Sequence, residues 1–209
     1  IFLPQFAYWT PKEWEQAGES CKMILENCLG WDVTDFGSGD FDRTGAVLFT
    51  LRNGNKKNLP EGIPYAEKII ILKPGQSIPL HFHVSKTEDI INRIGEVLCV
   101  ELFKANDDDT VDRASPIEVY CDGQRREIKA GEVIELFAGE SITITPRTYH
   151  RLYADVNGGM LICGEVSSVS DDDNDNVFAE PVKRYTTIEE DEPALFLLCN
   201  EAKIFKGCI

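Results

Sequence analysis

From Asp40 to Glu165 the chain is a succession of short β-type runs broken by Gly, Pro, Asn and Asp, and this texture constrains the fold more than any other feature. The runs are Ala46–Leu51, Ala66–Leu72, Ile78–His83, Asp89–Asn92, Val97–Phe103, Ile117–Tyr120, Val133–Phe137, Ser141–Ile144, His150–Ala154 and Met160–Glu165. Each is too short for a helix, and turn residues stand between them. Such a series folds as an antiparallel sandwich or a closed barrel. Ahead of it, Thr10-Pro11-Lys12-Glu13 has the form of a capping box with proline at the first helical position. Trp14, Ala17, Cys21, Ile24 and Leu25 follow at helical spacing and Gly30 supplies a stop. The expectation is one amphipathic helix of roughly five turns. No linker or internal repeat divides the 209 residues, so one domain is expected. Within it, 1–40 is a helical segment, 41–170 the barrel, and 171–209 an extension covering the barrel.

The chemistry concentrates in Gly75-Gln-Ser-Ile-Pro-Leu-His81-Phe-His83-Val-Ser-Lys86-Thr-Glu88, answered downstream by His150. These are the only three histidines in the chain. On a strand, alternate side chains share a face, so His81 and His83 project together while Phe82 points away. A turn after Val84 brings Glu88 back beside them. Neutral nitrogens with one carboxylate suit Mn, Fe, Co, Ni or Zn, and leave a bound dication Lewis acidic. Any one of these histidines alone would read as an ordinary hydrogen-bonded residue; the set reads as a metal site.

Net charge is −15, from 36 acids against 21 bases, which disfavours phosphate backbones and anionic lipid as partners. A small neutral or cationic molecule, or a metal ion, fits better. Seven cysteines, an odd number with no Cys-x-x-Cys pair, read as reduced and mostly buried thiols. There is no basic-then-apolar leader, and no apolar run approaches the ~20 residues of a membrane span. A cytoplasmic location is the expectation. Asp171-Asp-Asp-Asn-Asp-Asn176 lacks the glycine and the twelfth-position glutamate of an EF-hand, and reads as a solvated acidic loop.

The segment from Gly75 to Gly95 fits the cupin signature Gly-x5-His-x-His-x4-Glu-x6-Gly. Gly139, Pro146 and His150 stand where the second cupin motif has its Gly, Pro and His; Thr148 replaces a glycine, the histidine comes one residue early, and Ala154 replaces an asparagine. More closely, His81-Phe-His83-Val-Ser-Lys86-Thr-Glu88-Asp-Ile-Ile-Asn-Arg93 resembles the D-lyxose isomerases, sugar ketol-isomerases on one cupin domain. So do Glu165-Val-Ser-Ser-Val-Ser-Asp-Asp-Asp-Asn-Asp-Asn176 and Glu189-Glu-Asp-Glu-Pro; Ile94 departs from that family's glycine run.

The resemblance implies an all-β jelly-roll barrel with an N-terminal helix, and a Mn2+-dependent interconversion of D-lyxose and D-xylulose, extending to D-mannose and D-fructose. Fe, Co, Ni or Zn could stand in for Mn2+. It assigns His81, His83, Glu88 and His150 as ligands, Lys86 and Glu180 as catalytic groups, and Lys68 as a sugar contact; Arg184 is a further candidate, for a hydroxyl contact or a structural pair. Read from the residues alone, Lys68 either snorkels at a sheet edge or enters a polar cavity. The chemistry expected is a cis-enediol proton transfer. A hydride shift would use the same ligands, as would an Fe(II) dioxygenase or another cupin sugar or phosphosugar isomerase or epimerase. The amphipathic helix and edge strands suggest a homodimer.

Overall fold

The computed structural model describes residues 2–58, 62–183 and 192–208. Its strands, in chain order, are β1 (Gly30–Thr34), β2 (Ala46–Arg52), β3 (Tyr65–Leu72), β4 (Ser77–His83), β5 (Glu88–Ile94), β6 (Leu98–Ala105) and β7 (Val111–Asp112). There follow β8 (Ile117–Cys121), β9 (Gln124–Ile128), β10 (Val133–Leu136), β11 (Ser141–Ile144), β12 (Thr148–Ala154), β13 (Leu161–Ser168) and β14 (Asn176–Phe178). They form two antiparallel sheets, one ordered β1-β2-β3-β13-β5-β11-β8-β9 and the other β10-β6-β12-β4-β14, with β7 on β6. Each expected run overlaps a strand, and the double-sheet jelly roll follows from them.

Alternation fixes which side chains enter. Along β3, Ala66, Lys68, Ile70 and Leu72 are buried; along β13, Leu161, Cys163, Glu165 and Ser167 are. The facing strands contribute Ile78, Val100, Leu102 and Leu152 to the same core. Period-2 burial of this kind leaves little freedom of register, since a one-residue slip would turn every inward side chain out. Lys68 and Glu165 are therefore carried indoors by the apolar residues on either side of them. The outer face of the smaller sheet has its own cluster, in which Phe82 meets Tyr149 at 4.8 Å between ring centroids.

The N-terminal helix differs from expectation. Thr10 and Glu13 do form the reciprocal capping box, but the helix runs only Pro11–Ala17. Gly18 at φ +50° ends it, a 3-10 turn occupies Gly18–Cys21, and a second helix covers Lys22–Glu26. The apolar stripe is nevertheless used: Trp14, Cys21 and Leu25 are buried together with Ala202. Of the 171–209 extension, Phe178 and Val182 pack against the barrel core, Leu198 bridges to Trp31 on β1, and Ala202 packs on the helices. The barrel also outgrows 41–170, because β1 lies before it and β14 after it.

Both motif glycines have backbone reasons. Gly75 sits at φ +73° and Gly95 at φ +119°, a region that side chains other than hydrogen rarely tolerate. A Cβ on Gly95 would also stand 2.8 Å from the Met160 carbonyl oxygen. No helix among the described residues is long and apolar enough to cross a membrane.

Candidate metal centre and active site

β4 and β12 are neighbours in the smaller sheet, and their register sets His81 directly opposite His150. Two residues along, His83 shares their face, so one ring nitrogen from each of the three lies within 4.8 Å of the others. The bend at 84–87 then carries the chain across to the larger sheet, where β5 opens with Glu88 pointing back at the rings. Glu88 Oε1 lies 3.2 Å from His83 Nε2 and 3.0 Å from His150 Nε2. All four side chains are buried.

The orientation of the rings suits coordination. His81 Nδ1 is 2.8 Å from the Pro79 carbonyl oxygen and His150 Nδ1 is 3.0 Å from that of Thr148. Each carbonyl accepts an Nδ1–H, which leaves Nε2 with its lone pair toward the cavity. His83 Nε2 and Glu88 Oε1 are buried with no hydrogen-bond partner, since their close approach lacks hydrogen-bonding geometry. Such orphans cost about 1–3 kcal/mol each, and a divalent cation would satisfy them. Burial, then the neighbouring His150 and His83 rings, hold the His81 pKa well below the usual histidine value. Burial likewise lowers that of His83, against the pull of Glu88. Both rings are neutral at pH 7, the protonation state a ligand needs.

Behind Glu88 runs a buried chain of alternating charge. Lys86 Nζ is 2.7 Å from Glu88 Oε2 and 2.8 Å from Glu165 Oε1. Lys68, which faces Glu165 across the β3–β13 ladder, lies 3.9 Å from Glu165 Oε1 and 3.0 Å from Asp172 Oδ1. Its ammonium also donates to Ser170 Oγ at 2.7 Å. Burial works against the charge on Lys86, but Glu165 and Glu88 outweigh it and raise its pKa. Burial equally opposes ionisation of the two glutamates. Lys86 and the histidines nonetheless hold Glu88 well below the carboxylate range, and Lys68 with Lys86 lowers Glu165. Lys86, Glu88 and Glu165 are thus ionised together, with Lys86 a donor and Glu165 an acceptor.

These residues line a cavity of about 50 Å³ together with Phe36, Asn176 and Phe178, whose ring stacks on His81 at 5.2 Å. Lys68 is inside, resolving its two readings in favour of the polar cavity. Glu180 is exposed and is not among the lining residues. Arg184 lies outside the described residues. Sequence reasoning missed Glu165 and Asp172 as lining groups. An acid at inward parity in Leu161-Ile-Cys-Gly-Glu165 was a readable signal; the reach of Asp172 from a loop to Lys68 had none.

The shifts predict an acid limb to stability. Below pH 6.5 the unfolded chain protonates His81 and His83 while the fold keeps them neutral, so stability falls by up to about 1.4 kcal/mol per pH unit for each ring. Glu88 and Glu165, depressed in the fold, contribute stability above pH 4.5 that is lost as pH falls through their lower folded values. The melting temperature of chelator-treated protein is expected to drop steadily from pH 6.5 to 5. A flat profile over that interval would contradict neutral buried rings.

A family model described as D-lyxose isomerase matches residues 1–202. The chain is 46% identical over 208 residues to a D-lyxose/D-mannose isomerase of Escherichia coli O157:H7, covering 99% of this chain and 91% of that one. It is 45% identical over 202 residues to a D-lyxose/D-mannose isomerase of Serratia proteamaculans, covering 96% and 88%. Among solved structures, an L-ribose isomerase of Cellulomonas parahominis with L-ribose superposes with a TM-score of 0.54 at 17% identity, over 87% of this chain and 98% of that one. At that identity the likeness speaks for the fold alone. With the family model spanning nearly the whole length and relatives near half identical, this chain belongs to the D-lyxose isomerase family.

Proposed function

We propose that this chain is a divalent-metal-dependent ketol-isomerase that interconverts D-lyxose with D-xylulose and D-mannose with D-fructose. The observation that carries the reading is the buried meeting of three imidazoles with Glu88, bordered by the Lys86–Glu165 pair in one cavity. The two aldoses follow the names of the relatives at 46% and 45% identity, and the ketoses are what a ketol-isomerase makes of them.

His81, His83, Glu88 and His150 would hold Mn2+, with Fe, Co, Ni or Zn able to replace it, and the bound dication would supply Lewis acidity toward the sugar oxygens. The remaining work falls to the protein. Glu165, ionised and held by Lys86, takes the proton from C2 of the open-chain aldose and returns it to C1. Lys86, held protonated, donates to the oxygen on which negative charge gathers and passes a proton between O1 and O2. Positioned acid–base groups of this kind contribute about 10²–10⁴-fold. Phe178 and Phe36 exclude water at one wall.

The 50 Å³ cavity takes an ion and about one or two waters, less than a pentose needs. An adjoining cleft of about 340 Å³ shares Lys68 and Asp172 with it and is lined further by Thr50, Asn53 and Asp32. The sugar carbons beyond C2 extend into that cleft, with Lys68 as a hydroxyl contact. Glu180 and Arg184 remain candidates from the resemblance, Glu180 as an alternative base on the segment after β14.

Charged lining also separates the alternatives. A dioxygenase with this ligand set generally wants an apolar or aromatic cavity, which the Lys86–Glu165–Lys68–Asp172 wall disfavours. A phosphosugar needs spare cationic groups; both lysines of the metal cavity are paired with acids, as is Lys56 in the adjoining cleft, which leaves Lys57 there as a single further cation among the described residues. We further place the enzyme in the cytoplasm as a homodimer. The reduced state of the six described cysteines supports the first, and exposed Tyr65, Ile94 and Val166 on the larger sheet's outer side support the second.

The test is to strip metal with EDTA, reload with Mn2+, and supply a panel of pentoses and hexoses in D2O. Ketose from D-lyxose, only in the reloaded sample and with deuterium at C1, is expected. No ketose from any aldose, with oxygen uptake on another substrate, would overturn the reading.

A further inference from the structure

We propose that Asp175 is a positioning residue for the isomerisation: its carboxylate latches the 84–86 bend so that Lys86 points into the cavity and not into water. The inference rests on the isomerase reading for its catalytic consequence, and on geometry alone for the latch.

Lys86 stands in the bend between β4 and β5, flanked by exposed Ser85 and Thr87. Lysine in such a bend ordinarily extends into solvent, since burying its stem costs about 1.5–2 kcal/mol of rotamer entropy and its ammonium must be desolvated. Here the side chain is only 3% exposed. Something must hold the backbone in the orientation that turns it inward, and three successive N–H groups converge on one residue. Val84 N–H donates to the Asp175 carbonyl oxygen at 2.9 Å. Ser85 N–H donates to Oδ1 at 3.0 Å, and Lys86 N–H donates to Oδ2 at 3.0 Å. Ser85 Oγ adds a 2.6 Å bond to Oδ1, and the Lys56 ammonium lies 3.4 Å from the same oxygen.

Both carboxylate oxygens are thus engaged by adjacent amides, an arrangement that fixes the bend in two directions. Asp175 is itself held: its N–H donates to the Asp171 carbonyl at 2.9 Å, and its neighbour Asn176 pairs with His83 on the β4–β14 ladder. It is a buried member of the acidic loop that sequence reading left to solvent. One side chain therefore references Lys86 to the strand that carries the histidines. The loop that holds it also carries Asp172, which faces Lys68. Without the latch, Lys86 leaves for water, and Glu88 and Glu165 lose their shared cation.

Asp175→Asn tests this, because an amide can accept from only one of the two N–H groups. The first readout is the rate at which an amine-acylating reagent modifies Lys86, followed by peptide mass spectrometry, with half-exposed Lys73 as reference. Lys86 is expected to be protected in the wild type and to react at least about tenfold faster in D175N, with Lys73 unchanged. The second is turnover: kcat is expected to fall about 10²-fold, the order seen when a catalytic group is misplaced by about 1 Å. The loss should be absent in a Lys86→Met background, since the latch acts only through Lys86. Asp175→Glu, which keeps two acceptor oxygens on a longer arm, should recover part of the protection, and serves if D175N does not fold. Continued protection of Lys86 in D175N, or an equal loss in the K86M background, overturns the proposal. If the wild type turns over no aldose, the isomerase reading fails, and the acylation rates alone decide the latch.

Discussion

His150→Ala is expected to abolish metal retention and to lower kcat/KM by at least about 10³-fold, equivalent to about 4 kcal/mol of transition-state stabilisation. His150 joins the two sheets at the site. It lies opposite His81 across the β4–β12 ladder, with ring centroids 4.2 Å apart, and its Nε2 is 3.0 Å from Glu88 Oε1. Removing it leaves two imidazoles and one carboxylate, and Glu88 then sits beside an empty volume while still paired to Lys86. Metal analysis and turnover should move together. The variant should purify with little Mn2+, and EDTA-treated wild type should show the same loss, reversed by Mn2+. The fold should survive, because His150 buries a polar ring that gains little without the ion. A variant with full turnover and less than a tenth of an equivalent of metal would remove the ion from the mechanism altogether.

The parts of the molecule legible in the sequence are those governed by short-range periodicity. Ser141–Ile144 alternates apolar with polar residues, so its strand character and inward face could be read directly, while the apolar run of Ala66–Leu72 gave a strand without saying which way Lys68 points. The His81/His83 parity and the return of Glu88 after a bend followed from strand geometry and spacing. What escaped is long-range or local in another sense. β9 is polar along Gln124–Glu127 and becomes a strand only because β8 offers it a hairpin partner. β1 carries the Gly30 that reads as a helix stop and does begin an element there, but the element is a strand. The break at Gly18 overrode an unbroken apolar stripe, since a glycine at φ +50° ends helical hydrogen bonding whatever its neighbours want. In the acidic loop, composition said solvent, while Asp175 is buried by three amides contributed from ninety residues earlier. No local pattern encodes such a contact. The inward acid Glu165 was visible by parity, but its meaning depended on Lys68 arriving from β3 and Lys86 from the bend between β4 and β5.

Glu165→Gln should cost kcat about 10²–10⁴-fold, while KM and bound Mn2+ stay near wild type. Glu165 is not in the group that would hold the ion; it contacts Lys86 at 2.8 Å and accepts from Ser167 Oγ at 3.2 Å, both through Oε1. Glutamine keeps an oxygen for those donors and removes only the ability to take a proton, so the packing around it changes little. Some stability should still be lost, because Lys86 and Lys68 would share fewer buried carboxylates; the melting temperature reports that part separately from turnover. Deuterium incorporation at C1 in D2O should vanish with the isomerisation, since one group performs both the removal and the return. The comparison variant is Glu180→Gln, which alters an exposed carboxylate beyond the lining residues. If Glu165 is the proton carrier, E180Q stays within about threefold of wild type, a change below 1 kcal/mol in the barrier. If instead E180Q falls by orders of magnitude and E165Q does not, the base comes from the segment after β14. Glu165 would then serve only to hold the two lysines apart in the charged wall.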